Sequence, residues 1–309
     1  MTATNIPFTL LTGTIVAPGG KSPANGITAV YNHQLQTLSS TTPGTPWASS
    51  APPPVAPLGL CGSLANGLAI YGTANGNNTS VVAALSTIGV TGGIWNTMPA
   101  LPGGTMLGGI SGDLLNGLVA FSGQNIYTLN FNTLPLAWVT LAPPPYNVTA
   151  IAGDPTNGIL IAVDPSDNGS GASALYYGMG TCQCIVWTPL TGAAGSISTL
   201  PLARVHITSL TGNKGNGFVY YGENQLVSLA ALTVSAATAS AAASVTTTQL
   251  QLSALPFAVV AISGDPVNGL AAIGTAGSTN SSGKLIATCP PISATATASN
   301  WTVVTLQDF

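Results

Sequence analysis

Gly153-Asp154-Pro155-Thr156-Asn157-Gly158-Ile159 decides the fold, because the chain repeats it. Gly264-Asp265-Pro266-Val267-Asn268-Gly269-Leu270 is nearly the same text, and Gly112-Asp113-Leu114-Leu115-Asn116-Gly117-Leu118 keeps the frame. Looser copies run from Gly62 to Leu68, from Gly212 to Phe218, and over Pro23-Ala24-Asn25-Gly26-Ile27. In all six, Asn-Gly precedes a large apolar residue. Proline presets φ near −65° and Asn-Gly supplies the positive φ of a tight turn, so each copy predicts a hairpin.

The Asn-Gly pairs begin at 25, 66, 116, 157, 216 and 268. A period of roughly 40–50 residues is tested first for propeller blades. The five tryptophans, Trp47, Trp95, Trp138, Trp187 and Trp301, fall one to a repeat, each followed in most cases by a proline-bearing turn such as Pro52-Pro53-Pro54 or Pro143-Pro144-Pro145. The fifth repeat lacks the Trp but keeps Leu255-Pro256.

One repeat reads strand by strand. Val148 to Ala152 is β-branched and apolar, and Ile159 to Val163 is apolar throughout, as a strand buried on both faces should be. Ala174 to Tyr177 is the third strand, and Ile185-Val186-Trp187 opens the fourth. The other second strands are Ile27–Tyr31, Leu68–Tyr71, Leu118–Phe121, Phe218–Tyr221 and Leu270–Ile273. Thr233 to Thr248, rich in Ala, Ser and Thr, reads as a long outer hairpin. The expectation is an all-β, six-bladed β-propeller with four antiparallel strands per blade. It forms one domain over 1–309, with repeats near 12–57, 58–104, 105–145, 146–203, 204–256 and 257–309. Phe8 to Val16 is longer than one strand requires and is expected to add a strand that closes the ring against the last blade.

The order of apolar strand, Asp-Pro-x-Asn-Gly, apolar strand and Trp-x-x-Leu-x-x-Pro resembles Kelch-type and BNR/sialidase-like propeller repeats. The resemblance implies architecture rather than activity. The Asp-box of sialidase-like repeats is absent.

Composition narrows the function classes. Charged residues are 4% of the chain and apolar residues 46%, against a usual charged share of ~25%. Four Lys and Arg residues cannot form a phosphate-binding stripe or a polybasic membrane anchor. No apolar run reaches the ~20 residues of a membrane span. Nucleic acid and membrane insertion are therefore not expected. The first residues lack the basic region of a secretory signal.

Candidate chemistry is sparse. Asp113, Asp154 and Asp265 could form a ring of calcium-binding carboxylates, but Asx-turn capping accounts for them, and equivalent positions in neighbouring blades are expected to lie far apart. Cys61, Cys182, Cys184 and Cys289 allow three disulfide pairings; buried free thiols are favoured over zinc, and the Cys182-Gln183-Cys184 pair is too short a signal for a metal site. Arg204 and His206 are expected to start the inner strand of repeat five. Sequons begin at Asn77, Asn78, Asn147, Asn168, Asn280 and Asn300.

The loops between second and third strands hold Asn75, Asn77, Asn78, Gln124, Asn125, Asp164, Asp167, Asn168, Glu223 and Asn224. In propellers of the kind resembled these loops share one face with the blade-to-blade connections, and they form the candidate binding surface. A hydrolase could draw on Glu223 with Asp164 or Asp167. No nucleophile elbow, P-loop or dinucleotide fingerprint occurs, so no cofactor is expected. The reading is a non-enzymatic structural or adhesion protein on a virion or other extracellular assembly, binding other proteins of that assembly. A lectin for neutral glycans and a glycoside hydrolase are the alternatives.

Overall fold

The computed structural model describes residues 11–13, 26–31, 34–38, 48–73, 79–86, 93–164, 173–179, 185–192, 206–222, 225–235, 244–253, 255, 257–275, 284–289, 291–292 and 301–305. Each repeat folds as a four-stranded meander. The first is β1 (Leu11–Gly13), β2 (Ile27–Tyr31), β3 (Gln34–Leu38) and β4 (Ala48–Ser49). The second is β5 (Pro57–Ser63), β6 (Gly67–Thr73), β7 (Ser80–Leu85) and β8 (Trp95–Thr97). The third is β9 (Gly109–Asp113), β10 (Gly117–Ser122), β11 (Asn125–Leu129) and β12 (Trp138–Thr140). The fourth is β13 (Val148–Asp154), β14 (Gly158–Val163), β15 (Ala174–Gly178) and β16 (Thr188–Gly192). The fifth is β17 (Ile207–Asn213), β18 (Gly217–Gly222), β19 (Gln225–Ser235) and β20 (Ser244–Gln251). The sixth is β21 (Ala258–Asp265), β22 (Gly269–Thr275), β23 (Lys284–Cys289) and β24 (Thr302–Thr305).

The turn text sets the hairpins. In the fourth blade Asp154 pairs with Gly158 across a three-residue turn, with Gly158 at φ +114°. Three-residue hairpin loops favour a glycine at positive φ in this place. The glycine before the acid is as constrained. Gly153 sits at φ +88°, and a Cβ there would strike the Gly158 carbonyl oxygen.

Innermost strands β1, β5, β9, β13, β17 and β21 pack side by side in a closed ring. The sheets radiate from it, and the core is divided into six slabs, one at each blade boundary. Val30 and Leu35 meet Leu60 and Ile70 between the first and second blades. Phe218 and Tyr220 meet Leu160 and Ala162 between the fourth and fifth. Ile27, Ala29 and Leu38 meet Ala271, Ile273 and Ile286 between the sixth and first. Because second strands are buried on both faces, β14 is buried along its whole length, as its unbroken apolar run predicts.

Three of the tryptophans tie neighbouring blades, whereas the buried Trp301 indole N–H has no partner among the described residues. Trp138 donates its indole N–H to the Pro99 carbonyl at 3.0 Å, Trp95 to Ala51 at 3.1 Å and Trp187 to Ala142 at 2.7 Å. Each acceptor lies in the proline-bearing connection that leads out of the preceding blade. The co-occurrence of Trp and Pro thus has a cause: a half-buried indole needs an acceptor, and the proline turn leaves one unpaired by a strand.

Three expectations are amended. The described part of the Phe8–Val16 stretch is β1, the inner strand of the first blade; it pairs with β2 and with no strand of the sixth. Among the described residues, the first and sixth blades meet through packed side chains. The fourth blade's last strand begins at Thr188 rather than Ile185, since Trp187 is committed to the neighbouring connection. The long hairpin of the fifth blade is present as β19 and β20, but β20 also pairs in parallel with β16 (Leu190 with Val245, Thr191 with Thr246). Blades four and five are thereby joined at their outer edges.

Candidate functional site at the mouth of the ring

The hairpin turns converge. Residues from all six inner strands or their turns line one cavity of about 380 Å³ at the turn end of the central axis. Asn66, Asn116, Asn157, Asn216 and Asn268 surround it, with Ser63, Asp113, Asp154, Asn213 and Asp265 at the equivalent turn-opening position. Deeper in, Leu60, Ile110, Ile151, Leu210 and Ile262 form an aliphatic ring. The expectation that equivalent turn residues lie far apart is therefore corrected. The inner strands run nearly along the axis and are the closest approach of the blades to one another, so their ends meet.

The Asx-turn account of the acids holds. Asp154 Oδ1 accepts the N–H groups of Thr156 (3.0 Å) and Asn157 (2.8 Å), and Asn157 Nδ2 donates to both carboxylate oxygens. Asp265 is bound in the same way by Val267 and Asn268. Asp113 accepts the N–H groups of Leu115 and Asn116, and Asn66 Nδ2 of the preceding blade reaches its Oδ2 at 2.9 Å. In the fifth blade Asn213 Oδ1 takes over, accepting from Asn216 at 3.0 Å; in the second, Ser63 Oγ accepts from Asn66 at 3.1 Å.

The turns also clasp one another. Pro155 lies against Gly117, Pro266 against Gly217, and Leu114 against Gly67. Thr156 Oγ1 donates to the Asn116 carbonyl at 2.8 Å. Behind the turns, Thr12, Ser111 and Thr211 each donate a hydroxyl to a glycine carbonyl of the next blade, Gly62, Gly153 and Gly264. These three hydroxyls belong to the first, third and fifth blades. The repeated motif is a hairpin signal and an inter-blade joint at once.

Burial sets the electrostatics. Asp154 is 5% exposed, and its pKa is raised from the usual carboxylate range, first by burial and then by the Asp113 charge, against the lowering effect of its Asn157 bonds. Burial also pushes the Cys61 thiol well up, with Asp113 adding to it. Cys61 and Cys289 are buried free thiols; Cys182 and Cys184 lie outside the described residues. Among the described residues no group of three His, Cys, Asp or Glu side chains is arranged to hold a metal ion.

The raised Asp154 pKa gives a test. An acid whose folded pKa exceeds its unfolded value favours the fold below the unfolded pKa, and that contribution is lost as pH rises through the folded one. At neutral pH the Asp154 charge therefore opposes folding, while its oxygens cap the turn. Asp154→Asn keeps an acceptor, as Asn213 shows, and should melt at or above the parent at pH 7. The difference should shrink as pH falls through the carboxylate range. Asp154→Ala strands two turn amides and should cost about 1–3 kcal/mol. Equal damage from both substitutions in thermal melts would contradict this division.

The loop residues singled out in the sequence lie elsewhere. Gln124 and Asn125 are exposed in the turn from β10 to β11. Gln124 Nε2 donates to the Pro145 carbonyl at 3.4 Å, and the Asp164 N–H to the Asn147 carbonyl at 2.9 Å. These contacts place both loops beside the connection between the third and fourth blades, on the face opposite the cavity mouth. Asn75, Asn77, Asn78, Asp167, Asn168, Glu223 and Asn224 are outside the described residues. So is Arg204, while His206 directly precedes β17 and is exposed.

No protein-family model matches the chain, and no curated protein matches it. Among solved structures, YjhT is 11% identical, with 96% of this chain and 97% of that one covered, at a TM-score of 0.52. A protein provisionally assigned as a gluconolactonase is also 11% identical, covering 96% and 89%, at a TM-score of 0.50. The chain is a six-bladed β-propeller. At this identity the likeness shows the fold alone.

The propeller's charge is unevenly placed, which the overall composition hides. Among Asp, Glu, Lys and Arg residues, Asp113 is the one between Lys21 and Asp154. It points into the mouth, so the described outer surface of blades two and three carries no charge. Large apolar side chains stand exposed there: Leu58, Ile94, Met106, Leu134 and Val139, with Ile94 at 76% and Leu134 at 92%.

Proposed function

We propose that this propeller is a non-enzymatic interaction platform, a component of a protein assembly at the surface of a virion or other extracellular particle. The observation that carries the reading is the uncharged flank of blades two and three with its exposed Ile94, Met106 and Leu134. A flank that carries no charge and exposes large apolar side chains favours burial against a partner. The mouth acids fit the same reading, since their hydrogen bonds are directed at their own turns and at the adjoining blade.

The test is fractionation from the native source. The protein should co-sediment with a particle or envelope fraction. A double Ile94→Glu/Met106→Glu variant should fold as the parent does yet leave that fraction, whereas Val267→Glu, on a mouth turn, should stay. Recovery of the parent as a free cytosolic monomer would overturn the reading.

A specific observation favours one further possibility. The cavity at the mouth has a volume within the range of small-molecule sites and a rim of asparagine amides, which suits a neutral saccharide. Chemical-shift changes at Asn157 and Asn268 on titration with neutral glycans would reveal it.

A further inference from the structure

We infer that Asn216, on the mouth turn of the fifth blade, is a site of spontaneous covalent modification, its amide lost as ammonia while the equivalent asparagines of the other blades are kept. The inference concerns the chemistry of the rim and goes beyond the platform reading.

The reaction needs only an Asn-Gly pair and water. The Gly217 backbone nitrogen attacks Asn216 Cγ. A new C–N bond forms, the amide C–N bond breaks, and ammonia departs with the proton given up by the glycine nitrogen. Water then opens the cyclic imide at either carbonyl, leaving aspartate or an isoaspartyl link. Glycine in second place favours the attack, because it has no Cβ to hinder the approach.

Five mouth turns offer this reaction in one backbone setting. Gly67, Gly117, Gly158, Gly217 and Gly269 all lie at positive φ. Each pairs with the residue that opens its turn: Ser63, Asp113, Asp154, Asn213 and Asp265. The side chains differ. Asn157 Nδ2 donates to both oxygens of Asp154, at 3.1 and 3.0 Å, and Asn268 Nδ2 to both of Asp265, at 3.2 and 3.0 Å. Asp113 holds two amides, that of Asn116 at 3.1 Å and that of Asn66 at 2.9 Å. A carboxylate accepts and does not donate, so these bonds fix which way each amide faces. Attack requires the side chain to turn its Cγ onto the following nitrogen, and a tethered amide must first release its carboxylate.

Asn216 has no such tether. Its turn opens with Asn213, whose Oδ1 accepts the Asn216 backbone N–H at 3.0 Å. The Asn216 side-chain amide has no hydrogen bond among the described residues. Asp265 does not reach back to it as Asp113 does to Asn66, because both Asp265 oxygens are taken by Asn268. Exposure ranks the sites differently, since Asn157 is exposed and Asn216 half-buried. Tethering and exposure therefore name different first sites. Asn216 and Asp265 both line the mouth cavity, so the product adds a carboxylate to a rim that already holds acids.

The experiment uses the folded full chain, held at mildly alkaline pH and followed by peptide mass spectrometry. Each site's rate is divided by its own rate in denaturant, which removes the effect of the preceding residue. Asn216 should convert first, with the tethered sites slower by roughly tenfold, the equivalent of one hydrogen bond to a charged acceptor. Asn213→Asp restores the carboxylate and should slow Asn216 to the level of Asn157. Asp154→Asn removes one and should raise Asn157 toward Asn216. Both substitutions install a residue that the same turn position already carries in another blade, so the hairpin cap is kept. Conversion of Asn157 ahead of Asn216, equal normalised rates at all five sites, or an Asn216 rate indifferent to Asn213→Asp would each overturn the inference.

Discussion

Gly153→Val should destabilise the propeller by roughly 3–5 kcal/mol, combining the positive-φ penalty with displacement of packed backbone. Gly153 lies at φ +88°, a region β-branched residues avoid, and a Cβ there runs into the Gly158 carbonyl oxygen. That oxygen belongs to the hairpin itself, so no side-chain rotation relieves the clash. Gly153 also gives its own carbonyl to Ser111 of the preceding blade, so moving the backbone disturbs the blade boundary. Gly103, at φ +73° with nothing within 4 Å of a built Cβ, is the control: Gly103→Ala should cost only about 1 kcal/mol. Urea unfolding of the two variants separates steric conflict from backbone preference. Similar midpoints for both would show that the hairpin yields freely.

Ile273→Asp should be comparably damaging, and its damage should be local. Ile273 is 1% exposed in the slab between the sixth and first blades. A carboxylate there has no cationic partner among the described residues of that slab, which places the loss above about 4 kcal/mol. Among the described residues the ring closes at this boundary by packing, with no strand pairing between the first and sixth blades. Hydrogen exchange should therefore rise first in β1 to β4 and β21 to β24, and later in β9 to β12. A uniform rise through all six blades would show that closure is no weaker than any other boundary. The milder Ile273→Ala, expected to cost about 2–5 kcal/mol, keeps the comparison available if the aspartate variant does not fold.

Much of the fold could be read from the chain because hairpin chemistry is local. Asp154, Pro155, Asn157 and Gly158 specify their turn within five positions, and the apolar run Ile159–Val163 declares a strand buried on both sides. The six Asn-Gly pairs set the blade count, and the tryptophans marked five of the repeats without showing what the indoles do. An indole N–H bonded to a carbonyl about forty residues earlier, as between Trp138 and Pro99, is a relation between blades. The cavity was missed for the same reason. Each Asx turn is complete by itself, and nothing in its text says that it faces its counterparts across an axis. The bond from Asn66 to Asp113 and the contact of Pro155 with Gly117 arise from the closing of the ring. The pairing of β16 with β20 was equally out of reach, since strands of Thr, Val and Leu carry no mark of a parallel neighbour. The loops chosen as a binding surface were chosen for polarity, and polarity does not say which end of the molecule is concave.

Every blade is built from one uninterrupted length of chain. The order in which the blades are joined is then a matter of connectivity and not of shape. Relocating the termini to the connection between β12 and β13, with a linker joining the present ends, would leave all twenty-four strands with their partners. A gene that grew by copying one such module could lose or gain a copy at either end without severing a sheet.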